Sequence, residues 1–294
     1  MTDGDRQPEY VLVIRWGARG EGHGEFGEPH GICLDTDRNL LVTDSRNNRV
    51  YRFTRAGELI GELNAGPDGF HGPRDVCVDA HGNIYVVDGT SGRISRFSPS
   101  GEVTAQWGER GSGPGQFRRP HALAVGSNGH LYAADVDNCR VQVYDSSGKF
   151  LFQWGERGSG PGQFMAPHGI CADHHGDIIV CEYDGRRCQK FAPDGTHRMT
   201  LAVLPPDGPA GYHAMACDHD GNLYLALRGQ ASADQAVAKC SNRGESIASL
   251  APPADPTRTF MPNCAAIDAD DRVYVTAKGR GGVGVYVFAP DGAS

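Results

Sequence analysis

Four of the twelve histidines in this chain fall on one repeated position. Aligning the sequence on the residue that follows a proline gives His30, Arg74, His121, His168, His213 and Asn263, with Tyr212 standing where the fifth proline should be. Neutral imidazole is the commonest metal-ligating side chain, and three of them at ~2.0–2.1 Å from an ion leave an open position for chemistry. Arg74 carries a permanently charged guanidinium, suited to a substrate carboxylate or to developing anionic charge. His168 has three open roles at this level: fourth ligand, proton shuttle or substrate contact.

The elements that must bring these residues together are repeats. GERGSGPGQFRRPHALAV from Gly108 and GERGSGPGQFMAPHGICA from Gly155 are two copies of one phrase, and GARGEGHGEFGEPHGICL from Gly17 is a third. Successive aligned positions lie 44, 47, 47, 45 and 50 residues apart, which makes six units. The first unit reads as strands over 30–35, 39–44, 49–54 and 58–63, with β-favouring Val42, Val50, Tyr51 and Phe53. Four short strands repeating every 40–50 residues are the pattern of propeller blades. The predicted fold is an all-β, six-bladed β-propeller over residues 10–290, with blades starting near 29, 73, 120, 167, 212 and 262. Residues 1–9 and 291–294 are predicted as tails. Residues 285–288 read as the third strand of the last unit, with nothing after them for a fourth. The N-terminal YVLVIRW, Tyr10–Trp16, resembles the outer strand VTAQW and is predicted to complete blade six. Ring closure of this kind removes open sheet edges.

The inner strand of each blade lines the central channel, so the six aligned side chains should ring one mouth. Blades one, three and five are related by 120° steps, which would bring His30, His121 and His213 together on the axis as a metal triad. The second strand of each blade returns to the same mouth, so the loops after Asp44, Asp88, Asp135 and Glu182 should surround the ring. Tyr183 in such a loop is a candidate general acid or base. Arg74 and His168 join it as candidate catalytic residues. Arg46, Arg228 and Asn263 are candidate substrate contacts, and Lys278 is a further candidate. Asp44, Asp88 and Asp135 read as structural, accepting backbone N–H groups. Cys33, Cys77 and Cys171 share one repeat position with Ala124 and read as packing, as do Trp107 and Trp154.

Composition narrows the rest. Glycine (41 residues) and proline (18) are too abundant for a helical bundle, since each costs roughly 1–3 kcal/mol inside a helix. The net charge of −8 disfavours nucleic acid, whose phosphates need clustered Lys and Arg. No apolar run approaches the ~18 residues of a membrane span. The first residues lack the basic and apolar regions of a signal peptide, and nine cysteines without a CxxC pair are expected to be reduced thiols in a cytoplasmic protein.

The pattern GxGxGxFxxPxGIxxDxxGNxxVxDxxNxRVQxF resembles the NHL repeat, followed closely by Gly113-Pro114-Gly115-Gln116-Phe117, Asp135, Asn138 and Arg140-Val141-Gln142. Units five and six depart from it, for LALR and TAK lack the closing aspartate. Within that class the chain is similar to the peptidyl-α-hydroxyglycine α-amidating lyases, through Pro29-His30, Pro120-His121 and the stretch spanning residues 73–125. The resemblance implies zinc on His30, His121 and His213, with iron or another divalent ion as an alternative, and lyase-like C–N cleavage in a small polar substrate. The family's tyrosine and one of its arginines are replaced by Thr90 and Val136, and Ala214 replaces its calcium-binding aspartate. Two other functions stay open: a non-catalytic NHL propeller that binds a protein partner, and a metal-assisted hydrolase of the lactonase type.

Overall fold

The computed structural model describes residues 9–201, 211–227, 237–253, 259–279 and 282–292. Among them are six four-stranded antiparallel sheets and no helix. Blade 1 consists of Pro29–Leu34, Leu40–Asp44, Arg49–Phe53 and Leu59–Glu62, each within about a residue of the strands read from sequence. Blades 2 to 5 repeat it, with inner strands Pro73–Val78, Pro120–Val125, Pro167–Ala172 and Tyr212–Cys217. Blade 6 joins Met261–Ile267, Val273–Lys278 and Gly284–Pro290 from the end of the chain to Tyr10–Trp16 from its beginning. Tyr10 pairs with Pro290 and Trp16 with Val285, so the terminal strand supplies the missing outer edge. The chain forms a closed six-bladed β-propeller.

A repeated packing device shows why the sequence closes this way. The outer-strand tryptophans of blades 2 and 3 lie over turn glycines of the following blades, Trp107 over Gly148 and Trp154 over Gly195. A Cβ on Gly148 would come within 2.5 Å of the Trp107 ring, and both glycines have φ near +88°, where side chains are strained. Trp16 makes the same contact with Gly57 of blade 1 and packs on Phe26 and Phe53. The N-terminal strand therefore behaves as a blade's outer strand in packing as well as in pairing.

Between the blades, each seam is filled by aromatic and branched side chains from neighbouring sheets. Tyr51, Tyr85, Tyr132, Tyr144, Tyr224 and Tyr274 are all fully buried. A buried phenol keeps a polar partner where it can. Tyr85 and Tyr274 donate to Asp79 and Asp268, the aspartates that turn strand one into strand two.

The cysteines depart in one respect from nine free thiols. Seven are free, whereas Cys171 and Cys217, on the adjoining inner strands of blades 4 and 5, are joined as a disulfide with Cα atoms 6.5 Å apart. That separation is within the range a disulfide spans without backbone movement.

Candidate metal centre

The propeller's symmetry carries the three odd-blade histidines onto one point. The rings of His30, His121 and His213 form a nearly equilateral triangle, with centroids 4.9, 5.0 and 4.9 Å apart. One nitrogen from each lies within 4.8 Å of the others. The arrangement differs from a ring on an open mouth. His30, His121 and His213 are only 2%, 4% and 1% exposed, so they sit inside the channel and close it. Six inner strands converge tightly there, and imidazoles from alternate blades fill the space that remains.

The next shell fixes which nitrogen faces the centre. His30 Nδ1 lies 2.8 Å from the Arg74 carbonyl, His121 Nδ1 lies 3.1 Å from that of His168, and His213 Nδ1 lies 3.0 Å from that of Asn263. A carbonyl only accepts, so each Nδ1 carries the hydrogen and each Nε2 keeps its lone pair. Each odd-blade histidine is thus oriented by the backbone of the following even blade, the outer-shell arrangement that aligns ligating histidines. Thr43 strengthens one such contact, for its hydroxyl donates to the Arg74 carbonyl (3.1 Å) while accepting the Gly31 N–H (2.7 Å). Burial, together with the neighbouring His168, His30, His213 and Arg74, holds His121 well below the usual histidine pKa. A neutral imidazole with an aligned lone pair is the form that binds a metal. In donor type, tautomer and convergence, the residues present fit a divalent transition ion.

The even-blade positions fill the gaps between the three histidines. His168 packs against His121 with centroids 3.9 Å apart and the rings tilted, and faces the half-buried Tyr183 at 5.2 Å. Arg74 is half-buried, and its side chain runs across Gly89, where a Cβ would meet its Cγ at 2.6 Å. Arg74 and the His168–Tyr183 pair therefore flank the triad in different gaps. Asn263, read from sequence as a substrate contact, is wholly buried. Its amide donates to the Pro29 carbonyl at 2.6 Å, tying blade 6 to blade 1. Arg46 is exposed beside Gly27, and Lys278 pairs with Glu28. Arg228 lies outside the described residues. Val136, where the resembling family has an arginine, is buried.

The recurring acids do more than sequence suggested. Beyond the turn that follows them, they hold the loop that enters the ring. Asp44 accepts the Gly27 N–H, Asp88 that of His71, Asp135 that of Arg118 and Glu182 that of Met165, at 2.6–3.1 Å. Each donor lies three residues before a ring residue, so blades 1 to 4 share one brace. Leu227 and Ala277 stand at the matching positions of blades 5 and 6, without a carboxylate.

Comparison with known proteins agrees with this architecture. Residues 26–53, 70–97 and 117–144 match the NHL repeat. A 50-residue stretch is 38% identical to Protein lin-41 of Caenorhabditis elegans, covering 17% of this chain and 4% of that protein's length. Among solved structures, a streptogramin B lyase superposes with a TM-score of 0.67 at 15% identity, covering 96% of this chain and 98% of the other. A gluconolactonase from Xanthomonas campestris gives 0.67 at 14% identity, covering 98% and 99%. A catalytically inactive histidine-to-alanine variant of virginiamycin B lyase from Staphylococcus aureus, bound to quinupristin, gives 0.64 at 14% identity, covering 90% and 83%. At such identities the likeness is one of fold, and the fold hosts enzymes. The chain carries NHL repeats on a six-bladed β-propeller whose structural neighbours include lyases and lactonases.

Proposed function

We propose that this protein is a metal-dependent enzyme of the lyase type, with a divalent transition ion, zinc first, held by Nε2 of His30, His121 and His213. The observation that carries the reading is the threefold triad, each histidine aligned by a carbonyl of the next blade. A zinc ion so held would supply Lewis-acid polarisation of a substrate oxygen.

The remaining roles fall to the chain's own residues. Arg74, in the gap between His30 and His121, would hold a substrate carboxylate through paired N–H donors. His168 and Tyr183, on the other side of His121, would carry the proton. In a carbinolamide the hydroxyl loses its proton, a C=O bond forms, the C–N bond breaks and the amide nitrogen gains a proton. His168 and Tyr183, whose rings pack together, would move that proton as general acid and base. Burial of the triad excludes bulk water and strengthens every charge interaction inside.

A second reading, metal-assisted lactone hydrolysis, uses the same residues, with His168 as base toward a water molecule. The three imidazoles and the adjacent arginine suit an anionic intermediate in either case. Turnover of carboxylate-bearing carbinolamides and of lactones separates the two. In Arg74→Ala the lyase reading expects KM for the carboxylate substrate to rise more than kcat falls, with uncharged analogues unaffected. Failure of wild-type, metal-loaded protein to turn over either class would refute the proposal.

A further inference from the structure

Beyond the triad the channel continues as a second chamber of about 310 Å³, lined by the inner strands of all six blades. Its wall is aliphatic and sulfur-rich: Ile32, Leu123, Ile170 and Met215 alternate with Cys33, Cys77 and Cys264. Among the lining residues there is one charged side chain, Asp75. The matching position in the other blades is Gly31, Ala122, Gly169, Ala214 or Cys264, so blade 2 alone places a carboxylate in this layer.

The site is shaped around that group. A Cβ on Gly31 of blade 1 would fall 2.6 Å from Asp75 Oδ1, so the glycine makes room for it. Asp75 Oδ2 accepts the Leu123 N–H of blade 3 at 2.9 Å. The carboxylate therefore reaches across its own blade's seams on both sides. No lysine or arginine pairs with it among the described residues, whereas Asp135, Asp173 and Asp218 elsewhere in the core each have a cationic partner. Burial raises Asp75 to about 7, the mark of a carboxylate with too little to balance its charge. The chamber is reached from the far mouth: Leu34, Val78, Val125 and Ala172, at the far ends of the inner strands, are only half-buried, while the histidines close the other side.

We infer that this chamber binds a small organic ammonium ion, its cationic head on Asp75 and its apolar body against the aliphatic and sulfur-lined wall. Sites of this size and kind, mostly apolar with one placed polar group, are typical of small-molecule pockets. A hard inorganic cation would want six or more oxygen ligands, and the lining side chains offer one carboxylate among aliphatics and thiols. The inference is independent of the proposed function, since it needs neither a bound metal nor any chemistry at the opposite rim; the histidines enter it only as the closed end of the chamber.

The test is titration calorimetry on the full chain at pH 8 with n-butylammonium, n-butanol and butanoate, alongside calcium. Asp75→Asn keeps the shape and can still accept from Leu123, so it separates charge from folding. Butylammonium should bind at least tenfold more tightly than butanol, butanoate should not bind, and Asp75→Asn should bring the ammonium down to the level of the alcohol. Prior treatment of the protein with a strong metal chelator should leave ammonium binding unchanged, which keeps this result apart from the fate of the metal centre. Equal binding of amine and alcohol, indifference to Asp75→Asn, or calcium binding in place of the amine would each overturn the inference.

Discussion

The two layers of the channel are built from the same six strands, one residue apart, and they differ in every chemical respect. In the upper layer three imidazoles close the axis, with a fourth imidazole, a guanidinium and an amide between them. In the lower layer the residues are glycine, alanine, cysteine and one aspartate, and Asp75 reaches the chamber that the next residues of each strand line. Strand alternation turns successive side chains to opposite faces, yet near the axis both faces of an inner strand meet channel or seam. Here the repeat fixes geometry, and chemistry comes from the blades that break the consensus: Arg74 and Asn263 above, Asp75 below.

Substitutions can break this contrast from either side. Removing a ligand has the largest expected effect. His213→Ala should lower metal affinity by more than the 10–100-fold typical of an outer-shell partner, read by competition with a chromophoric chelator. Asp75→Asn comes next, and it acts on stability. Because the folded-state pKa lies above the ordinary carboxylate value, the folded protein holds this proton more tightly than the unfolded chain does. Asp75's contribution to stability is therefore fullest below about pH 4, falls as pH rises toward about 7, and stays level above it. Asp75→Asn should remove that decline, stabilising the protein at pH 8 by roughly 2–4 kcal/mol and changing little at pH 4. Denaturant melts at the two pH values check it, and an equal effect at both would contradict the account.

Smaller effects sharpen the upper layer. Thr43→Val loses a hydroxyl that donates to the Arg74 carbonyl and accepts from Gly31, and should weaken metal binding about tenfold while the fold is kept. His168→Gln should change metal affinity by no more than about twofold, since the convergent ligand set among the described residues is the three odd-blade histidines. A loss comparable with that of His213→Ala would make His168 a fourth ligand.

Much of this was legible in the sequence because the repeat supplies phase. Aligning prolines placed His30, His121 and His213 on alternate blades, and pattern alone identified Tyr10–Trp16 as the closing strand. What phase does not supply is distance from the axis. That is why the histidines proved to be buried in the channel, and why the tie from Asn263 to the Pro29 carbonyl had no counterpart in the pattern. The Nδ1-to-carbonyl contacts involve backbone, which has no sequence signature. Asp75 was overlooked because it follows Arg74 directly and breaks a position occupied elsewhere by small residues. That break in an otherwise small-residue layer was the available signal. The Cys171–Cys217 link joins positions one step out of phase, so an alignment by repeat keeps them apart.

The central claim is that the odd-blade histidines form a metal centre, and metal content tests it most directly. Untagged wild-type protein and His121→Ala, purified side by side, are analysed by plasma mass spectrometry, with circular dichroism confirming that both are folded. The account predicts about one zinc or other transition ion per wild-type chain and essentially none in the variant. Wild-type protein that holds no metal and takes up none on addition, or a variant that retains it fully, would contradict the account.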